Sequence, residues 1–498
     1  MGKSTLKKVK YNFIFSIIGQ LVTIGIGIII PRLYIVSFGS EVNGFINSIN
    51  QVFTYVALLE AGVGGASLQA LYKPVSLNDK NKINGILSAT NYFYQRTGTW
   101  YLIIVILLAF LYPLIITSDL SYWLMFSLVA LVGVSGALPY FCQAKYRILL
   151  EAEGKNYVIS FISTIQSIIL SSGKLILLLI GCNVILVQTV YLIINLLISF
   201  IYYVYIKKKY AWIDLSIRPD NEAITKKNAV IVHQISSLIF NNTDVLILTF
   251  FCDLSQVSIY VLYKNMISMI GTLLNNFFSS VNFKLGQSFH KKEKFIPMIN
   301  AYENFYVTLT FSLFTISYFF ITPFMKIYTL NMDINYIINY FPFLMVVSEL
   351  LNYGRMISLN IINYAGHFKQ TQLRTIIESI INLSLSIYLV KRIGIYGVII
   401  GTIVALLYRT VDMIYYSNKI ILHQSPFLSL KIWLVNVLFS TATLWLLNSI
   451  EIQVGNYVSI ITSAVIVTII VVPLQQIFAF ICNRTALNYL RIQLKKFL

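Results

Sequence analysis

Charged residues are scarce in this sequence, because Asp, Glu, Lys and Arg make up only 11% of its 498 positions. A soluble protein carries about 25% charged residues. Long apolar runs recur from one end of the chain to the other, and 57% of the residues are hydrophobic. This composition excludes a soluble globular protein and predicts a polytopic membrane protein.

Cysteine is also rare. The four cysteines, Cys142, Cys182, Cys252 and Cys482, show no Cys-x-x-Cys spacing and form no cluster with histidine. Metal and redox sites usually need such clusters. We therefore expect no metal, no cofactor and free thiols, with a disulfide between Cys182 and Cys252 as the alternative.

The apolar runs have the length of transmembrane helices, which need about 20 mostly apolar residues. They are too long and too continuous for the alternating segments of a membrane β-barrel. The sequence therefore predicts an all-α protein with about fourteen spans: 11–36, 44–71, 83–112, 120–142, 157–180, 184–206, 228–251, 256–283, 295–322, 334–361, 370–390, 395–418, 427–448 and 457–482.

The positions of the basic residues predict the orientation of these spans. Most of the 37 Lys and Arg residues fall in segments on one side, whereas the other side holds only Lys326, Lys391 and Arg392. The positive-inside rule places the richer side and both termini in the cytoplasm, which predicts a bacterial cytoplasmic (inner) membrane protein. The formal net charge of +19 then reflects loops facing anionic membrane lipid and predicts no nucleic-acid partner.

The two halves of the chain resemble each other at a nearly constant spacing. Gly154 lines up with Gly366, and three pairs of segments match: SEVNGF (40–45) with SQVSIY (255–260), ATNYFY (89–94) with AYENFY (301–306), and IQSII (165–169) with IESII (377–381). This pattern predicts two parallel six-helix repeats, an arrangement found in transporters. The predicted domains are a first bundle at 1–206, a cytoplasmic linker at 207–227, a second bundle at 228–418, and two additional helices with a tail at 419–498.

Ionisable residues inside the spans are the candidate functional residues, because each costs about 2.5–3.5 kcal/mol at a helix centre on insertion scales. They normally face a protein interior or a wet cavity. The predicted spans contain the following bases and acids: Arg32, Arg96, Lys174, Lys264, Arg355 and Arg409, with Glu60, Asp244, Glu303, Glu349, Glu378 and Asp412.

Four of the cations are candidates for binding an anionic headgroup: Arg96, Lys174, Arg32 and Lys264. The first half has fewer acids than bases in its spans, so its cations can meet an anion in a cavity. The alternatives are pairing with acids of the second half, or snorkelling to the interface, which is easiest for Arg32 near the end of its span.

The remaining candidates are charge pairs or ion-coupling residues: Asp244, Glu378, Glu60, Arg409 and Asp412. Arg409 and Asp412 are three residues apart on one helix face, which predicts either a local ion pair or a pair that faces the cavity. Asp244 lines up with Arg32 of the first half. It is either part of a structural salt bridge or a site for a coupling ion, H⁺ or Na⁺.

Two segments resemble a known family. The stretch RLYIVSFGSEVNGFINSINQVFTYVALLEAGVGGAS (32–67) is similar to the opening of the polysaccharide transporter, or O-antigen-type oligosaccharide flippase, family. The stretch TDVLILTFFCDLSQVSIYVLYKNM (243–266) is similar to that family's Asp-containing span and the Tyr-containing span after it. The family's usual glycine before this Tyr is missing, since Ser258 and Ile259 precede Tyr260.

The resemblance implies the fold of the multidrug/oligosaccharidyl-lipid/polysaccharide (MOP) flippase superfamily, which includes the MATE transporters. It also implies a flippase that moves polyprenyl-pyrophosphate-linked oligosaccharide to the outer leaflet by alternating access. A polymerase and a ligase of the same surface-polysaccharide pathway would be partners.

Two other functions stay open from the sequence. A multidrug exporter of the same fold would favour an acidic cavity, and the acids of the second half keep that reading open. A membrane polysaccharide polymerase or ligase would need a large outer loop with catalytic charges. The predicted outer loops are short, so we expect no enzyme and no catalytic residues.

Overall fold

A computed structural model describes residues 25–60, 63–220, 242–289, 292–449 and 455–494. Throughout these ranges the secondary structure is helical and contains no strand. The all-α prediction is therefore confirmed. The helices are α1 (Gly25–Phe38), α2 (Ser40–Val56), α3 (Val63–Ser76), α4 (Lys80–Ile115), α5 (Tyr122–Cys142), α6 (Ala144–Ala152), α7 (Asn156–Leu179), α8 (Val184–Lys209), α9 (Asn242–Phe251), α10 (Leu254–Ser288), α11 (Lys292–Tyr328), α12 (Phe341–Gly354), α13 (Met356–Tyr364), α14 (Phe368–Ile393), α15 (Ile395–Tyr415), α16 (Phe427–Ser449), α17 (Tyr457–Cys482) and α18 (Arg484–Leu494).

Ten of the helices in the described ranges are long and apolar enough to cross a membrane. The chain is thus a multi-pass membrane protein. Helices α1 and α9 are apolar but shorter, and each adjoins residues outside the described ranges (11–24 and 228–241), where the rest of the corresponding predicted span lies.

Two predicted spans are each divided in the structure. The span 44–71 consists of α2, a 3-10 turn at Ala57–Glu60 and α3. The span 334–361 is divided at Arg355, which ends α12 and precedes α13. A hydropathy pattern shows how long an apolar stretch is, but it does not show where the backbone hydrogen bonds of a helix end.

The helix boundaries repeat at the spacing that the sequence halves share. Helices α7 and α14 begin at Asn156 and Phe368, which are 212 positions apart. The breaks at Gln143 and Arg355 are also 212 apart. Gly154 and Gly366 precede the seventh and fourteenth helices with φ of 70° and 67°, a conformation that glycine adopts without steric cost. The duplication therefore extends to single backbone positions.

The chain divides into two compact units, Met1–Ser258 and Ile259–Leu498. In the second unit, α16 and α17 pack on α11 through polar side chains within otherwise apolar helices. Asn436 donates to Thr308 at 3.1 Å, while Gln475 donates to Asn436 at 3.0 Å and accepts from Ser312 at 2.9 Å. Interhelical hydrogen bonds of this kind hold membrane helices together where apolar burial gives no net drive.

The first part of the predicted linker lies along α4 of the first unit. Asn84 donates to the carbonyl of Trp212 at 3.2 Å, and Ser88 Oγ lies 3.0 and 2.8 Å from the carbonyls of Leu215 and Ile217. Both polar side chains are buried. The part of the linker from Trp212 to Ile217 is therefore attached to α4 through these carbonyl groups.

Tyr210 anchors the start of this segment. Its hydroxyl donates to Glu153, and Lys155 Nζ lies 2.9 Å from the same hydroxyl and 2.7 Å from Glu153. Burial, followed by the bond to Glu153, raises the pKa of the phenol to about 12. Hydrogen bonds to Glu153 and Tyr210 raise the pKa of Lys155. At neutral pH the Tyr210 phenol is therefore neutral and the Lys155 ammonium is charged.

We expect Ser88→Ala to weaken the attachment of the linker to α4. The substitution removes the hydroxyl that the carbonyls of Leu215 and Ile217 accept from, and such a hydrogen bond is worth about 1 kcal/mol. Limited chymotrypsin digestion of the purified protein, followed at the Trp212 cleavage site, should proceed about fivefold faster than in the parent. Ser127→Ala is the control, because Ser127 bonds only the Trp123 carbonyl of its own helix. Equal cleavage rates in all three proteins would contradict the docking.

Candidate functional site

A chain of alternating charges lies inside the second unit. Glu378 accepts from Arg355 at 2.5 Å and lies 3.4 Å from Arg409 Nε. Arg409 in turn donates to Asp412 at 2.6 Å, and Asp412 also pairs with Arg374. Arg355, Glu378 and Arg409 are 8%, 3% and 2% exposed. This arrangement compensates charges that would otherwise be very costly to bury.

The hairpin of α14 and α15 brings these groups together. A Cβ on Gly401 would lie 2.7 Å from the backbone nitrogen of Ser386, so only glycine permits this approach of the two helices. Arg355 enters the network from the break between α12 and α13, and Thr375 accepts a 3.2 Å hydrogen bond from Arg409. The network thus links the helix break to both helices of the hairpin.

The local pair of Arg409 and Asp412 exists, but it is only one link of this chain. The structure brings three predicted residues, Glu378, Arg409 and Asp412, into one network. The same network contains two further residues, Arg355 and Arg374. The guanidinium of Arg374 lies 4.9 Å from the Tyr416 ring. The sequence places Arg355 among the intramembrane bases but gives no reason to pair it with Glu378.

A second polar region lies within the first unit, where α2 meets α9 and the start of α10. Asn43 donates to Ser258 at 2.7 Å, Thr249 donates to Ser48 at 2.7 Å, and Tyr55 lies 2.6 Å from Thr243. We call this contact between 43–55 and 243–258 the seam. Its first pair joins the segments 40–45 and 255–260, which are equivalent in the two repeats.

Asp244 lies beside the seam. Its side chain is 2% exposed, and it interacts electrostatically with Tyr55. At the other end of the seam, Gly44 meets the backbone of Leu254 so closely that a Cβ there would lie 2.7 Å from the Leu254 carbonyl carbon. The start of α2 at Gly44 therefore lies directly against the backbone of Leu254, with no layer of side chains between the two helix ends.

Lys174, Lys145 and Arg96 of the first unit are cations that make no ion pair with any carboxylate in the described ranges. Lys174 is half-buried and lies 5.0 Å from the Tyr191 ring. Lys145 on α6 is 8% exposed and donates to two neutral acceptors, Asn91 at 2.6 Å and the Phe141 carbonyl at 3.4 Å. Burial lowers the pKa of Lys145, because its charge loses hydration without a carboxylate to replace it.

The third of these cations, Arg96, is exposed on the same face of α4 as Tyr92 and Trp100. Helix α4 has 36 residues, and Arg96 lies about 24 Å from its start at 1.5 Å per residue. The apolar stretch from Thr97 to Ile115 then spans about 28 Å, close to the bilayer core. Arg96 lies where the helix leaves that core, between two aromatic residues typical of an interface.

The other predicted residues lie apart from one another. Arg32 is half-buried on α1, and Lys264 on α10 lies 5.6 Å from the Tyr260 ring. Glu60 ends the 3-10 turn and interacts electrostatically with Arg147. Within the described ranges, no group of three or more His, Cys, Asp and Glu residues could hold a metal ion.

A comparison with protein-family models gives no match, and neither does a comparison with the sequences of curated proteins. Solved structures do match. The lipid II flippase MurJ in an inward closed conformation superposes with a TM-score of 0.69 at 18% identity, covering 95% of this chain and 99% of that one. The chain has a MurJ-like fold. A MATE family multidrug resistance transporter of the MOP superfamily, inward-facing, matches with a TM-score of 0.61 at 13% identity, over 78% of this chain and 93% of that one.

These comparisons confirm the predicted MATE-like fold. The identities are low, so the likeness concerns the fold alone. The resemblance to the O-antigen-type flippase family within this superfamily remains a prediction.

Proposed function

We propose that this protein is a transporter that flips a polyprenyl-pyrophosphate-linked oligosaccharide from the cytoplasmic to the outer leaflet for surface-polysaccharide biosynthesis. The observation that carries the proposal is that Lys174 and Lys145 of the first unit pair with no carboxylate among the residues that the structure describes. A pyrophosphate headgroup supplies the negatively charged partner that these cations lack. A sugar chain needs polar surroundings, which the cations provide.

The two units differ in how their cations are compensated. In the second unit, Arg355, Arg374 and Arg409 each contact a carboxylate. In the first unit, Lys174 and Lys145 contact only neutral groups. An ammonium kept away from water without a carboxylate is costly, and such a cost is commonly retained for ligand binding. The headgroup site of this proposal therefore centres on Lys174 of the first unit, with Arg96 and Arg32 as further predicted contacts.

Alternating access is the proposed mechanism, and the seam is its outer closure under the predicted orientation. The hydrogen bonds of the seam join uncharged polar side chains, and each is worth about 1 kcal/mol, so a change of partners can open them. The matched MurJ structure is itself inward closed. Asp244, Glu60 and Glu378 are the proposed responders to a coupling ion, H⁺ or Na⁺.

Export of cationic drugs is the second candidate function. It is favoured by Glu303, which is 4% exposed and has one hydrogen bond, 2.9 Å from Ser429. Glu378 argues against it, because this acid is already bound to two arginines. The matched structures are transporters, which gives no support to a polymerase or ligase activity.

We expect Lys174→Gln to slow flipping of a fluorescent short-chain polyprenyl-pyrophosphate oligosaccharide in proteoliposomes about tenfold, the size of one lost charge-assisted hydrogen bond. Lys174→Arg keeps the charge and should recover most of the rate. Lys209→Gln, at the exposed end of α8, is the control.

An unchanged rate in Lys174→Gln would reject this cation as a headgroup contact. Transport of an organic cation by the parent, with no movement of the lipid-linked sugar, would favour the exporter.

A further inference from the structure

A small cleft opens at the end of the α16–α17 hairpin, and none of its lining residues is among those proposed above to contact the headgroup or a coupling ion. It is lined by residues of α11, α16 and α17 and by the residue that precedes α18: Asn304, Leu428, Lys431, Ile432, Val435, Ala479, Cys482 and Asn483. The lining is apolar except for one cation and two amides. We propose that this cleft binds the phosphate group of an anionic phospholipid of the cytoplasmic leaflet.

Asn304 presents an unused donor to the cleft. Its residue is 1% exposed, and its Oδ1 accepts from Asn483 at 3.3 Å, while its Nδ2 has no hydrogen-bond partner. A buried amide nitrogen without an acceptor destabilises the protein, because its lost hydration is not replaced. A phosphate oxygen in the cleft would satisfy it.

Lys431 supplies the charge. Its Nζ donates to the carbonyl of Cys482 at 3.1 Å, which uses one of three N–H groups, and it pairs with no carboxylate in the described ranges. Glu303, the neighbour of Asn304, does not line the cleft, and its carboxyl bonds Ser429. The cleft therefore presents two donors and no acid to an incoming anion.

Helix α18 adds a third favourable element. Asn483 caps its start by accepting from the backbone nitrogen of Ala486 at 3.2 Å, so the positive end of the helix dipole borders the cleft. Ala486 is fully buried, which docks α18 to the unit. Arg484 and Arg491 are exposed on it, and Lys495 and Lys496 follow in the sequence. Clusters of basic residues next to a transmembrane helix attract anionic lipid.

The surroundings of the cleft favour a lipid over inorganic phosphate as the source of the anion. Leu434, Ile477 and Ile481 are 60%, 57% and 61% exposed on α16 and α17, beside the lining residues. Exposed aliphatic side chains of this kind on spanning helices face acyl chains. A phospholipid can therefore place its phosphate at Lys431 and its chains along the outside of the hairpin.

The test uses the purified full-length protein with a photoactivatable phosphatidylglycerol, and crosslinked peptides are mapped by mass spectrometry. Peptides containing 428–435 or 479–483 should be labelled, and Lys431→Gln should reduce this labelling about tenfold. Lys431→Arg should retain it. Lys419→Gln removes an exposed charge elsewhere in the unit and should have no effect.

Three outcomes would overturn the proposal. The first is equal labelling of these peptides in the parent and in Lys431→Gln. The second is equal labelling by the matching phosphatidylcholine probe, which would show a lipid contact without selectivity for the anion. The third is complete displacement by millimolar inorganic phosphate, which would identify a phosphate site and not a lipid site. Because the readout is lipid binding, a failure of the transport proposal leaves this test intact.

Discussion

Replacing Gly44 by alanine is expected to separate the start of α2 from the start of α10. The added methyl would lie 2.7 Å from the carbonyl carbon of Leu254 and closer still to its oxygen, and a backbone group cannot move aside as a flexible side chain can. The hydrogen bond between Asn43 and Ser258 would be lost with the contact. Spin labels on cysteines at positions 36 and 253, in a cysteine-free background, would report the separation as a longer distance.

The size of the effect follows from what holds the seam. Three neutral hydrogen bonds of about 1 kcal/mol each join the two sides. A shift of about 5.5 kcal/mol takes a two-state equilibrium from 99:1 to 1:99. The free-energy cost of the backbone clash and of one lost hydrogen bond together approaches that shift. The fraction of molecules in which the seam is closed should therefore fall from a majority to a minority.

Gly65→Ala is the matched control, since nothing lies within 4 Å of a Cβ at that position. Its spin-label distances should equal those of the parent. Unchanged distances in Gly44→Ala as well would mean that the two helix ends do not close in solution as they do in the structure.

Much of the fold was predictable because hydropathy and charge bias act locally. A run of 20 or more apolar residues forms a helix in a membrane whatever its neighbours are. The duplication was also predictable, and it places helix starts such as Asn156 and Phe368 in register. The end of α5 at Cys142 agrees with the predicted span 120–142. The break at Arg355 was not predicted, because a helix can end inside an apolar run without a change in composition.

The partners of the candidate residues were less predictable, because they depend on contacts distant in sequence. Arg409 and Asp412 are three residues apart, so their pairing could be anticipated. Glu378 reaches Arg409 because Gly397 and Gly401 let α14 and α15 pack closely, and it reaches Arg355 at the break between α12 and α13. Lys145 was assigned to a cytoplasmic segment, and nothing in the sequence shows that it is buried beside Asn91 of α4.

The attachment of the linker to α4 was also not predictable from the sequence. Its polar composition and Pro219 are typical of a flexible connection, yet Asn84 and Ser88 bind its carbonyl groups. These two side chains belong to the first turns of a long helix, where polar residues are unremarkable. A sequence pattern cannot distinguish a polar residue that faces water from one that binds a segment more than a hundred positions away.

Glu378→Gln is expected to destabilise the second unit by about 3–5 kcal/mol, the typical cost of removing one partner of a buried ion pair. The amide can still accept a hydrogen bond, but it cannot balance Arg355 and Arg409, which are 8% and 2% exposed. Unfolding of the purified protein in mixed micelles, titrated with a denaturing detergent, would measure the loss. Glu151→Gln, on an exposed acid of α6, should leave the midpoint unchanged.

Asp412→Asn separates a network effect from a general effect of removing an acid near arginines. Its partner Arg374 has a side chain that is 34% exposed, so water compensates part of that charge, and Arg409 keeps Glu378. The loss should therefore be less than half of that in Glu378→Gln. Because the two acids share Arg409, the double variant should lose an amount that differs from the sum of the single losses. Equal losses of stability in the two single variants, together with additive losses in the double variant, would contradict this expectation. They would show that Glu378 and Asp412 act in separate ion pairs and that Arg409 does not join them.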